Sequence, residues 1–376
     1  MFYNCSSLTE LDLTVLDTSN ITHMAYMFYG CSGLTNLNIT NFNTSNVTSM
    51  KSMFYNCAKL TTLDVYSFNT SNVTTMGWTF CGCSALTELN VSGFDTSKVT
   101  NMKSIFCGCS ALTELDVSKW DLGSATDMAY MFYGCSALTE LNVSNWNTSN
   151  VTNMPYLFYN CAKLTELDVS NWDTSKVTTL EGAFGYCSHL KELQVSKWNV
   201  SKVTSVGWIF DECSSITTLD VLDWDTSNIT NMRSFFRGLR SMTSIDVSYL
   251  DVTKATNMAD IFRNNTSLIT LNISGWDMTN CTSTVSFFLA TKNIKQIIMV
   301  DCNDVTIEKV KAEMPEGCEI ITDASVLATI ASLNETPVVT NVDLEGYSVD
   351  DDEEKCKMIE CEIPTEDIMD EDAFWD

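Results

Sequence analysis

The stretch MFYNCSSLTELDL, residues 1–13, returns as MFYGCSGLTNLNI at residues 27–39, a step of 26 residues. That step governs most of the chain. Phenylalanine keeps it from Phe2 through Phe28 and Phe54 to Phe288, twelve times without a miss. Cysteine keeps it from Cys5 to Cys213, and threonine from Thr22 to Thr282. The unit reads F-x-x-C-S-x-L-T-x-L-[DN]-V-S-x-W-[DN]-T-S-x-V-T-x-M-x-x-M, and no insertion or deletion breaks it over about eleven copies. A fixed period of this length marks a stacked repeat before any local reading of secondary structure.

One unit can be read residue by residue. In ALTELDVSKW, residues 111–120, Leu115 and Val117 alternate with Glu114, Asp116 and Ser118, the pattern of a half-buried strand. Asp17, Asn43, Asn69, Asp95 and Asp121 then turn the chain, because such side chains bond their own backbone. In NVTSMKSMFYNC, residues 46–57, Val47, Met50, Phe54 and Cys57 fall at helical spacing, with Thr48 placed as an N-cap. A single unit cannot bury its apolar side alone, so neighbours must stack. The expected fold is an α/β repeat solenoid with one short parallel strand and one short helical or 3₁₀ segment per 26-residue coil.

Leu112, Leu115 and Val117 match the L-x-x-L-x-V start of a leucine-rich repeat, and 26 residues is an ordinary length for one. The longer run MFYGCSALTELNVSNWNTSNVTNM, residues 131–154, resembles the BspA-like leucine-rich repeat surface proteins of bacteria, mycoplasma lipoproteins included. The resemblance covers roughly residues 1–290. It implies a secreted or surface-displayed binding protein, adhesin-like and without catalytic residues. No secretion signal or wall anchor is read in the sequence, which departs from that family. Met1 falls in the column of Met27 and Met53, so the sequence enters part-way through a unit and reads as a cut.

The period fades after Phe288. Residues 291–335 are expected to form a C-terminal cap: a last strand in NIKQIIMV, a helix in VTIEKVKAEM, a strand in CEIIT and a short helix in SVLATIASL. Residues 336–376 read as an acidic, flexible tail. The net charge of −27 is uneven, with 15 basic against 25 acidic residues up to position 290 and 6 against 23 beyond it. Such a balance argues against nucleic acid, whose phosphates need clustered Lys and Arg. No run approaches the length of a membrane helix. No nucleophile–base pair, phosphate loop or metal cluster at ligand spacing is found, so neither an enzyme nor a cofactor is expected.

Four columns invite a functional reading. The cysteines are expected to form a buried apolar ladder rather than bridges, because parallel Cβ vectors on adjacent rungs stay too far apart. Cys81 and Cys107 replace a tyrosine column and, with Cys83 and Cys109, make two C-G-C pairs; whether they join is left open. Trp120, Trp146, Trp172, Trp198 and Trp224 follow Phe42, Phe68 and Phe94 and are expected to be a packed spine rather than a sugar-stacking row. Thr18, Thr44, Thr70 and Thr96, with Ser19, Ser45, Ser71 and Ser97, form hydroxyl rows that admit a structural or ice-associated alternative. The candidate site is the outward strand face, with Glu88, Glu114, Glu140, Glu166 and Glu192 beside Asp116 and Asp168. Like charges about 5 Å apart repel by roughly 0.8 kcal/mol even in water. The face is therefore read as a groove for a basic protein or cell-surface partner, with Ca²⁺ or plain solvation as rivals. Arg233, Arg237, Arg240 and Arg263 are all the arginines present; they suggest a weak anion site or a contact for the acidic tail.

Overall fold

The computed structural model describes residues 1–325. The leucine-rich-repeat-type solenoid is as expected, with about twelve coils. Strands β1 (Glu10–Asp12) and β2 (Asn36–Asn38) pair in parallel, as do β3 (Thr62–Leu63) and β4 (Glu88–Leu89). Toward the C-terminus β5 (Ser244–Asp246), β6 (Thr270–Asn272) and β7 (Gln296–Ile298) follow in one sheet, again in parallel. Each pairing joins residues 26 apart, such as Leu11 with Leu37 and Leu271 with Ile297. Apolar and polar residues alternate in these strands, so Leu37, Leu63 and Leu89 point inward and their neighbours outward.

A second ladder runs on the far side of each coil, where parallel bridges link His23, Ser49, Thr75, Asn101, Asp127 and Asn153 in turn. The segment that follows differs from the helical or 3₁₀ reading. Its amides alternate: Met53, Tyr55 and Cys57 donate three residues back, to Met50, Ser52 and Phe54. Ser52, Phe54 and Asn56 donate instead to Gly77, Thr79 and Cys81 of the next coil. Left-handed residues at Ser52 (φ 54°) and Asn56 (φ 55°) turn every second N–H toward the neighbour. A helix keeps all its bonds to itself; this ribbon of turns spends half of them on stacking. Thr48 is accordingly no N-cap, and its hydroxyl donates to Thr22 O at 3.2 Å.

The core is a set of columns. Phe54, Phe80, Phe106, Phe132 and Phe158 are fully buried, with successive rings 5.4–5.7 Å apart and nearly parallel. The tryptophans are a buried spine, as expected: Trp172 stacks between Trp146 and Trp198 at 5.9 and 6.1 Å. Their indole N–H groups are not idle. Trp120, Trp146, Trp172 and Trp198 donate to the carbonyls of Val91, Val117, Val143 and Val169 in the preceding coil.

The cysteine column is buried too, but it is more than apolar filling. Cys57, Cys83, Cys109, Cys135 and Cys161 each direct Sγ at the carbonyl of a phenylalanine 29 residues earlier, at 3.2–3.3 Å. Burial pushes the Cys135 thiol well above its ordinary pKa, so the proton that makes this contact stays on sulfur. Beyond Cys213 the column holds Leu239, whose side chain donates nothing, and then two other donors: Asn265 Nδ2 meets Phe236 O at 2.9 Å, and Thr291 Oγ1 meets Phe262 O at 2.6 Å. Eight cysteines from Cys31 to Cys213, with Asn265 and Thr291, thus place a buried donor in this column, and Leu239 is the exception. Phe106 O also accepts from Cys109 N at 3.0 Å, so Cys135→Ala removes one of its two bonds and is expected to cost about 0.5–1.5 kcal/mol, with Cys135→Ser recovering part of it. Denaturant midpoints of the three proteins check this, and equal losses for both variants would contradict it.

The last strands close the stack. Helix α1 (Asp304–Glu313) starts at Asn303, whose side chain accepts from Thr306 N. Thr306 Oγ1 donates to Trp276 O, and Lys309 Nζ donates to Met278 O and Cys281 O. These side chains dock the helix on backbone carbonyls of the preceding coil. Strand β8 (Glu319–Ile321) then pairs with β7, so the strand and helix expected within 291–335 are present up to this point. The short helix expected in SVLATIASL, apart from its first residue, and the tail 336–376 lie outside the described residues.

Candidate functional site

The strand face of the central coils carries an open groove of about 960 Å³, lined by Glu88, Glu114, Glu140 and Glu166 together with Asp116 and Asp168. All six are exposed, while the leucines between them face inward. Glu192 continues the column and is exposed, but it lies beyond the groove lining. Thr87, Thr113, Thr139 and Thr165 form the adjoining row.

The two kinds of acid differ in what the fold asks of them. Asp116 and Asp168 each accept the backbone N–H and the hydroxyl of the serine two residues on, through Oδ1. Those bonds hold both carboxyls below the usual carboxylate range, the serine hydroxyl contributing most. Asn90 and Asn142 do the same task on alternate coils with an uncharged oxygen. Turn formation therefore accounts for an oxygen at this position and leaves the charge unexplained. The glutamates have no such task. Among the described residues none of the five side chains makes a hydrogen bond or ion pair, and no group of three or more His, Cys, Asp or Glu side chains is arranged to hold a metal.

Other candidate residues are already engaged. Arg237 faces Asp211 at 3.3 Å and Glu212 at 3.6 Å, Arg240 pairs with Glu212, and Arg233 and Arg263 reach Asp260 at 3.4 and 3.2 Å. Arg233 also lies over the Trp208 ring. The sequence reading missed these three acids; their signal was the break in the tyrosine column where Asp211, Arg237 and Arg263 stand. Thr18, Thr44, Thr70 and Thr96 are buried, and Thr44 both donates to Asn69 O and accepts from Asn69 N. Of the two hydroxyl rows named for the ice-associated alternative, the threonine row is thus interior, and Ser19, Ser45, Ser71 and Ser97 are half-buried. Cys81 and Cys107 are buried as well.

A family described as "Mycoplasma protein of unknown function, DUF285" matches the chain in three tandem segments, residues 1–106, 75–193 and 178–301. The chain belongs to this family. The resemblance read from residues 131–154 is borne out at the level of the repeat, mycoplasma members included. No curated protein matches the chain. A leucine-rich repeat protein from Bacteroides ovatus is 18% identical, covering 86% of this chain and 85% of that one, with a TM-score of 0.43. A leucine-rich cell surface protein from Faecalibacterium prausnitzii is 18% identical over 72% of this chain and 74% of its own, with a TM-score of 0.34. The functional domain of InlJ from Listeria monocytogenes is 20% identical over 84% of this chain and 63% of that one, with a TM-score of 0.23. No helix of the described residues is long and apolar enough to cross a membrane.

Proposed function

We propose that this DUF285 member is a non-enzymatic repeat scaffold, displayed at a cell surface, that binds a basic protein or surface macromolecule along its acidic strand face. The observation that carries the reading is the glutamate column. Five carboxylates stand on successive coils, exposed and without partners, where the fold needs none of them and their mutual repulsion opposes it. A cationic ligand would convert that repulsion into attraction.

Exchanging Glu114, Glu140 and Glu166 together for glutamine tests it. With a lysine-rich peptide as probe, binding should weaken about tenfold, since each exposed charge contact contributes roughly 0.2–1 kcal/mol. The parent's binding should also fall with added salt, because exposed charges are screened over about 8–10 Å. Melting should be unchanged or slightly higher, as these side chains leave the core untouched. Undiminished binding by the triple variant would make the face a merely solvated one.

A further inference from the structure

Asp211 is only 1% exposed, although it sits in a segment of turns near the surface. Its Oδ2 receives Arg237 Nη1 at 3.3 Å. Its Oδ1 has no hydrogen-bond partner, and neither have two buried atoms of the next coil, Ser234 Oγ and Arg237 Nε. The charged groups around it come from three coils: Glu212 from its own, Arg237 from the next, and Asp260 and Arg263 from the one after. Tyr186, whose amide donates to Asp211 O, and Cys213 are the other titratable neighbours. None of the cations belongs to Asp211 alone. Arg237 is shared with Glu212, and Arg263 holds Asp260, which Arg233 also reaches. Glu212 in turn accepts from Arg240 and Asn264.

A buried carboxylate with one oxygen unmet and one shared cation is better accommodated with a proton on it. We propose that Asp211 and the arginines around it form a proton-controlled latch joining the coils of Phe210, Phe236 and Phe262, tight when Asp211 is protonated and loosened when it ionises. Burial raises the Asp211 pKa to about 7, with Arg237 opposing and Glu212 and Asp260 adding. In a locally opened chain the carboxyl returns to its ordinary 3.8. Between those values the closed state holds a proton that the open state has lost. The stabilisation is therefore complete below the lower value and disappears as pH rises through the upper one.

Amide exchange in the full chain reads this directly. The amides of Glu212, Ser234 and Gly238 donate across these coils, whereas Gly134 donates to Tyr159 O in a distant one. Between about pH 5.5 and pH 8, local opening at the first three should rise roughly thirtyfold after correction for intrinsic exchange, the factor set by the 1.5 units separating the lower pH from the raised pKa. Gly134 should not follow. Asp211→Asn should remove the pH dependence. A rise shared by Gly134, or one that persists in Asp211→Asn, would overturn the latch. Should that variant fail to fold, the carboxyl-carbon resonance of Asp211 in the parent decides: titration near neutrality supports the latch, and titration in the ordinary carboxylate range refutes it.

Discussion

Trp172→Ala should lower stability by about 3–5 kcal/mol, the range for removing a buried aromatic, and the loss should reach beyond its own coil. Trp172 touches Trp146, Trp198 and Phe158 through its ring, and Val143 O through its N–H. Each coil of a solenoid is held by its neighbours, so a void in one weakens the interfaces on both sides. Denaturant unfolding gives the magnitude. Exchange at the amides of Phe158 and Phe184, on the flanking ring stack, gives the spread. Trp172→Phe is the informative control, because Phe42, Phe68 and Phe94 fill this same position in earlier coils. It should keep the stacking and lose only the indole bond, about 0.5–1.5 kcal/mol. An unchanged midpoint for the alanine variant would mean that these rings do not form the spine described.

Asn265→Leu should be nearly as damaging, for a different reason. Asn265 is wholly buried in the cysteine column. Its Nδ2 donates to Phe236 O at 2.9 Å and its Oδ1 accepts from Leu239 N at 2.8 Å. Leucine fits the cavity's polarity poorly and leaves both backbone groups unmet, at roughly 1–3 kcal/mol each. Asn265→Cys should fall between, since a thiol can serve Phe236 O but not the Leu239 amide. Thermal melts of the three proteins rank them, and a leucine variant as stable as the parent would refute the assignment.

The period made the architecture legible. Strand faces, the phenylalanine stack and the tryptophan spine all follow from columns of like residues at one spacing. The turn segment was misread because Val47, Met50, Phe54 and Cys57 fall at helical intervals, and a ribbon of turns can present the same spacing inward. A signal against a helix was nevertheless present. Asn4, Gly30, Asn56, Gly82, Gly108, Gly134 and Asn160 occupy one column, and all have positive φ. Exchange between asparagine and glycine is what a left-handed backbone position selects.

Less of the candidate site could be read. The glutamates were visible because nothing in a strand pattern demands them. The cysteine donors were not, because thiols pass for apolar residues until the carbonyl opposite is seen. Likewise Asp211, Glu212 and Asp260 looked like scattered charges; only folding brings residues from three coils to the same arginines.

The cross-coil bonds recur at offsets of 25, 26, 27 and 29 residues, from Thr44 with Asn69 to Cys135 with Phe106. Translating the central coils by one whole unit thus maps most contacts onto equivalent ones. Chain length becomes an adjustable quantity: gain or loss of 26 residues creates a junction of a kind the protein already contains. The same degeneracy threatens folding, because a coil docked one place out of order meets an almost correct neighbour. The exceptions to the repeat, Leu239 against Asn265 and Asp211 against Arg237, are then the address marks by which the chain keeps count.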